Sequence, residues 1–101
     1  MQSQVITLGH EEISNLNRLV AELTSHLNEL NLDASRKQKA DAQIATLKAQ
    51  LTDEPDPVIV QQAGRTLRNI TEGAIGSLIA TAVQPTVWHW VQQAMTTLFP
   101  K

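Results

Sequence analysis

The sequence predicts an all-α fold, in which two antiparallel helical hairpins form a small bundle that we expect to be oligomeric. Three observations predict it. The first half of the chain carries two apolar stripes with helical spacing in different registers, a proline-containing stretch divides the halves, and frequent Ala, Leu, Gln and Glu favour helix. A chain of 101 residues forms at most one compact domain and buries a modest share of its surface, so association with another chain is a common source of stability.

The first helix is predicted over residues 10–31, after a short lead-in at residues 1–9. Its apolar residues alternate spacings of three and four, which places them on one narrow seam. If the same register continued, Lys37 and Asp41 would enter the seam, where charge is costly. The first helix is therefore expected to end before that point. The seam consists of Ile13, Leu16, Val20, Leu23, Leu27 and Leu30.

A second helix is predicted over residues 34–52, because a new apolar stripe starts in a different register. Between the two helices, Asn31 favours a turn and Asp33 can cap the helix that follows. An antiparallel hairpin explains the change of register, and one continuous helix through both stripes is the alternative. The second stripe consists of Ala40, Ile44, Leu47 and Leu51.

The second half, residues 58–101, follows an acidic, proline-containing linker at residues 53–57. Two prolines stop a helix, and Asp56 precedes Pro57 in the favoured order of an N-cap residue and a proline at the first helical position. We therefore predict that a third helix runs from Pro57 to about Val83.

The stretch from Gly73 to Pro100 contains 28 residues and no Asp, Glu, Lys or Arg. Such a segment is expected to be buried in its own fold, in a partner protein or in lipid. A proline at position 85 divides it, which predicts a fourth helix over residues 87–98. Trp88 and Trp90 differ by about 200° around a helix, so at least one is expected to contact something beyond its own hairpin.

Small residues recur on the third helix, and two of them, Gly73 and Gly76, lie within one turn. Glycine inside a helix costs ~1 kcal/mol relative to alanine, so a close approach of another helix would explain them. That approach can occur within the chain, between copies of the chain or in a membrane. We predict an interface with anchors from both helices: Leu67, Ile70, Gly73, Ala74, Gly76, Ser77, Trp88, Trp90, Val91, Met95 and Phe99.

Composition and motifs exclude several classes of function. A net charge of −2 with few clustered basic residues argues against nucleic acid as the main partner. The absence of cysteine excludes disulfides and thiolate metal sites, and the three histidines lack a metal-binding spacing. No catalytic, cofactor-binding or metal-binding residue is predicted, and we do not expect an enzyme. Without a basic and apolar leader, a bacterial cytoplasm is expected, and a location at a membrane surface stays open.

Two stretches carry a resemblance: residues 44–51, IATLKAQL, and residues 66–76, TLRNITEGAIG. A helix ending in Gln-Leu, a proline-containing linker and a helix with Leu-Arg-Asn-Ile, Glu-Gly and a further Gly resemble a recurring helical tail. This tail occurs in bacterial proteins of uncertain function, some of them linked to phage defence. The similarity covers about residues 44–80. It implies an accessory or assembly module in a defence or toxin–antitoxin setting, and it carries over no catalytic residue.

The function predicted from the sequence is that of a non-enzymatic helical module that self-associates or docks on a larger protein. One alternative is a small membrane-active effector that forms pores or associates with the membrane surface. An ordinary membrane span is disfavoured, because the uncharged stretch is interrupted by Pro85 and contains several glutamines and threonines. A second alternative is an inhibitor or immunity-type protein.

Overall fold

The computed structural model describes residues 9–81 and 86–100, and this part of the chain is helical and contains no strand. The all-α prediction is therefore confirmed. Most of the lead-in and the predicted break around Pro85 lie outside the described residues. The elements are α1 (His10–His26), a short 3-10 helix (Leu27–Leu30), α2 (Ala34–Thr52), α3 (Pro57–Thr81) and α4 (Thr86–Leu98).

The four helices pack around one core, and each helix contacts the helix before it and the helix after it in the chain. α4 closes the arrangement by packing against α1, so the bundle forms a ring in which α1 lies diagonally opposite α3. Short connections between neighbouring helices make them antiparallel. One end of the bundle therefore carries the N-terminus of α1, the α2–α3 connection and the C-terminus of α4.

The turn between α1 and α2 is built by the residues that the sequence singled out. The 3-10 helix ends at Asn31, which has a positive φ of 53°, a conformation that asparagine tolerates better than most residues. Asp33 then caps α2, because its Oδ1 accepts a hydrogen bond from the backbone N–H of Arg36 at 2.8 Å. The chain reverses here, so the alternative of one continuous helix is wrong.

The connection between α2 and α3 is held by two side-chain acceptors. The Gln50 side chain accepts a hydrogen bond from the backbone N–H of Asp56 at 2.7 Å. Asp56 Oδ1 in turn accepts from the N–H of Val58 at 2.9 Å, which caps the first turn of α3 behind Pro57. The cap-and-proline order predicted from the sequence is present.

The core contains most of the residues on the predicted stripes and some that spacing did not indicate. All residues of the seam and of the second stripe are buried except Ile13 and Leu51, which are half-buried. Leu19, outside the narrow seam, is fully buried as well. Thr71 is also fully buried, since its hydroxyl donates to the Leu67 carbonyl at 2.9 Å and needs no water.

Candidate interaction surface

The contact between α1 and α4 centres on Trp88, whose side chain is only 1% exposed. Its indole N–H donates a hydrogen bond to Glu29 Oε1 at 2.9 Å. The other carboxylate oxygen of Glu29 lies 2.6 Å from His26 Nδ1, and the His26 ring meets the Trp88 ring edge-on at a centroid distance of 6.4 Å. Hydrogen bonds from His26 and then from Trp88 hold the pKa of the Glu29 carboxyl below its ordinary value.

Trp90 lies at the edge of the same contact and is half-buried. The guanidinium of Arg18 on α1 lies over its ring, 4.1 Å from the ring centroid, in a cation–π arrangement. Both tryptophans therefore contact α1, which belongs to the other hairpin. This confirms the expectation that at least one of them reaches beyond its own hairpin.

Gly64 of α3 is buried beneath the ring of Phe99, the residue that follows α4. A Cβ at position 64 would collide with that ring, so only glycine fits without movement. Two arginines of α3 bind backbone carbonyls of the residues that follow α4. Arg68 Nη1 donates to the carbonyl of Phe99 at 2.8 Å, and Arg65 Nε donates to the carbonyl of Pro100 at 3.2 Å.

Of the settings predicted for Gly73 and Gly76, a close helix approach within the chain is not found. An added Cβ at Gly73 or Gly76 would meet no atom within 4 Å, so neither glycine marks a close helix contact inside the chain. Gly64, for which no close contact was predicted, has that role. All three glycines lie inside the same helix, so their local sequence does not distinguish them. The difference is that Phe99 packs over Gly64 and not over Gly73 or Gly76.

Open space next to Gly73 belongs to a groove, which we call the α2–α3 groove. Its volume is about 950 Å³, and it lies between the start of α2 and the middle of α3. Small residues of α3, namely Gly73, Ala74 and Ser77, line it together with residues of the α1–α2 turn. Its lining comprises Leu30, Asn31, Leu32, Asp33, Arg36, Lys39, Thr66, Asn69, Ile70, Gly73, Ala74 and Ser77.

The predicted interface residues divide into two groups in the structure. One group is buried in the chain's own core: Leu67, Trp88, Val91, Met95 and Phe99. The other group is accessible, with Gly73 and Ser77 exposed and Ile70, Ala74, Gly76 and Trp90 half-buried. The large side chains expected to anchor another chain thus pack within this one. The accessible surface of the predicted set lies mainly on α3, and its role as an interface stays a prediction.

A second accessible feature lies at the other end of α3 and was not predicted. Within the described chain, Val58 and Ile59 are the large apolar side chains that are exposed, at 46% and 39%. They follow three acidic residues, Asp53, Glu54 and Asp56, which are also exposed. We call these five residues the acidic tip. The sequence signal for this feature is the run of three β-branched apolar residues at 58–60, since one face of a helix cannot bury all three.

A smaller groove of about 420 Å³ runs between α1 and α4, with Trp90 at its edge and Glu11 and Glu12 among its lining residues. Across residues 9–81 and 86–100, no group of three or more histidine or acidic side chains is placed to hold a metal ion. Over the same residues, no helix combines the length and the apolar character needed to cross a membrane.

Comparison with protein-family models, with curated proteins and with solved structures finds no match to the chain. The geometry of the accessible surfaces is therefore the basis for a functional argument. Two surfaces stand out, the α2–α3 groove and the acidic tip, and both include residues of α3.

Proposed function

We propose that the chain is a non-enzymatic helical interaction module that self-associates or docks on a larger protein through the α2–α3 groove. The observation that carries the proposal is the open space over Gly73, which belongs to the α2–α3 groove. The large apolar side chains of the predicted interface are buried in the core. The α2–α3 groove is also larger than the groove between α1 and α4. Its lining combines apolar side chains with an arginine and several polar side chains, a combination found at protein–protein interfaces.

The energetic argument concerns what glycine costs at an open site. An alanine at position 73 would stabilise α3 by up to ~1 kcal/mol, and the structure has room for its methyl group. Packing within the chain gives no reason for glycine there. A partner whose backbone approaches α3 closely would supply one, because a Cβ would then hold the two surfaces apart.

The biological setting of this proposal comes from the sequence resemblance. Residues 44–80 resemble a helical tail of bacterial proteins, some of them linked to phage defence, and the groove-lining face of α3 falls within that stretch. We therefore propose an accessory or assembly role in a bacterial defence or toxin–antitoxin system.

Site-specific photo-crosslinking in the native cells tests the proposal. A photoreactive amino acid is placed at Asn69, which is exposed and lines the groove. The matched control carries it at Ala21, which is exposed on α1, diagonally across the bundle. We expect a discrete crosslinked product from position 69 and none from position 21.

The mass of the product separates the two forms of the proposal. A product of twice 11.1 kDa indicates self-association, and a heavier discrete product indicates a larger protein. If position 69 gives no product, or if both positions give the same products, the groove is not the interaction surface and the proposal fails.

A further inference from the structure

We infer that the α2–α3 groove binds the acidic tip of a second copy of this chain, so that copies associate head to tail. The inference rests on the proposed function and names the partner surface. Both halves of the contact are present on one molecule, and they match in charge and in apolar character.

The charges of the two surfaces are opposite. Arg36 and Lys39 are exposed along one wall of the groove, and in the described part of the chain Lys39 has no acidic partner. Arg36 lies 3.9 Å from Asp33, but both side chains stay about two-thirds exposed at 65% and 66%. On the tip, the carboxylates of Asp53 and Glu54 are exposed, and neither is paired with another described residue.

The apolar parts also correspond. The tip presents Val58 and Ile59 next to its carboxylates. The groove presents Leu32, Ile70 and Ala74 next to its basic side chains, and Gly73 leaves room between them. Seating the two exposed side chains would remove from water the apolar surface that the folded chain leaves exposed, which favours association.

The geometry makes the contact intermolecular. Ile59 and Gly73 belong to the same helix and are about 21 Å apart along its axis, at about 1.5 Å per residue. A rigid α3 therefore cannot bring its own tip to its own groove. A pair of copies held head to tail by one such contact keeps one free groove and one free tip, so further copies can add to it. The tip is small, so we expect a dissociation constant in the micromolar range or weaker.

Light scattering on two complementary variants tests the inference. The groove variant is Gly73→Gln, which puts a long side chain into the space over α3. The tip variant carries Val58→Gln and Ile59→Gln, which remove the exposed apolar surface. The matched control is Gly76→Gln, because position 76 is also open to an added Cβ but does not line the groove.

For the wild-type chain and the control, we expect an average mass that rises with concentration up to about 1 mM, above a micromolar dissociation constant. Each of the two interface variants alone is expected to stay at 11.1 kDa. An equal mixture of them is expected to reach twice that mass and to stop there, because one intact groove and one intact tip remain per pair.

A charge exchange provides the second measurement. Lys39→Glu and Glu54→Lys each place like charges in contact and should reduce the mass at a given concentration. The chain with both changes should recover it, and added salt should weaken the wild-type association.

Several results would overturn the inference. They are a wild-type chain that stays at 11.1 kDa, a mixture that does not pair, or a charge exchange without recovery. If only Gly73→Gln abolishes association and the tip variant associates like the wild type, the groove binds another groove instead. In these cases a product from the crosslinking experiment at Asn69 still supports the proposed function, so the two failures are distinguishable.

Discussion

The two halves of the uncharged segment have different fates in the fold. The second half, α4, directs Trp88, Val91, Met95 and Leu98 into the core. In the first half, the end of α3, Gly73 and Ser77 stay exposed. Uncharged residues are thus buried in both halves, Ile75 of α3 included, but the first half also keeps small residues accessible. The difference lies in side-chain size, since large apolar residues gain free energy from burial and glycine and serine gain little.

The largest effect is expected where α4 enters the core. Trp88→Ala should reduce the free energy of unfolding by ~3–5 kcal/mol, because it leaves a cavity and removes the hydrogen bond to Glu29. Trp90→Ala, the matched control at the edge of the core, should cost clearly less. Urea unfolding followed by circular dichroism measures both. Equal losses would contradict the distinction between a core tryptophan and an edge tryptophan.

The comparison between the two surfaces of α3 is sharpest at its glycines. Gly64→Ala should destabilise the chain by ~1–3 kcal/mol, because the methyl group displaces the Phe99 ring. Gly73→Ala should stabilise it by up to ~1 kcal/mol, because the site is open. Thermal unfolding of the two variants therefore should shift in opposite directions. A downward shift for Gly73→Ala would mean that Gly73 is closely packed, and an upward shift for Gly64→Ala would mean that the Phe99 ring accommodates the methyl group.

The Glu29 carboxylate makes the contact between α1 and α4 dependent on pH. Because its pKa is lowered in the folded chain, its stabilising contribution is complete above about pH 4.5 and is lost as the pH falls through the lowered pKa. Glu29→Gln should cost at most ~1 kcal/mol at neutral pH, since the carboxylate is half exposed. The difference from the wild type in unfolding free energy should then shrink in acid. A difference that stays constant from pH 7 to pH 3 would exclude this role.

The smallest effect is expected at the cation–π contact. Arg18→Gln keeps a long side chain over Trp90 but removes the charge, and it should cost ~0.5 kcal/mol. Gln92, exposed on α4, offers the position for a neutral control, Gln92→Ala. A loss as large as that of Trp88→Ala would show that Trp90 is part of the core and not its edge.

The sequence predicted the elements well because local signals determine them. Helical spacing located α1 and α2, and turn chemistry located the break, where Asn31 has a positive φ and Asp33 caps the next helix. Asp56 followed by Pro57 located the start of α3 in the same way. Each of these signals depends on residues within one turn of each other, so a single sequence contains them.

The accessible surfaces could not be predicted in the same way, because they depend on which helix faces which. Gly64 and Gly73 carry the same local signal, and only Phe99, far along the chain, distinguishes them. Trp88 donates its hydrogen bond to Glu29, which is 59 positions away in the sequence. The local sequence around Glu29 indicates only a solvent-exposed helix end. Thr71 is polar and fully buried because its hydroxyl bonds to its own helix.

The positions of the two tryptophans have a practical consequence for spectroscopy. Both rings lie against α1, one in the core beside His26 and one under Arg18 at the edge. Because α2 and α3 contain no tryptophan, the intrinsic tryptophan fluorescence of the chain reports on the docking of α4 to α1. A ligand that binds the α2–α3 groove without disturbing that docking should leave the emission maximum unchanged. Separation of α1 from α4 should shift it to longer wavelength as Trp88 enters water.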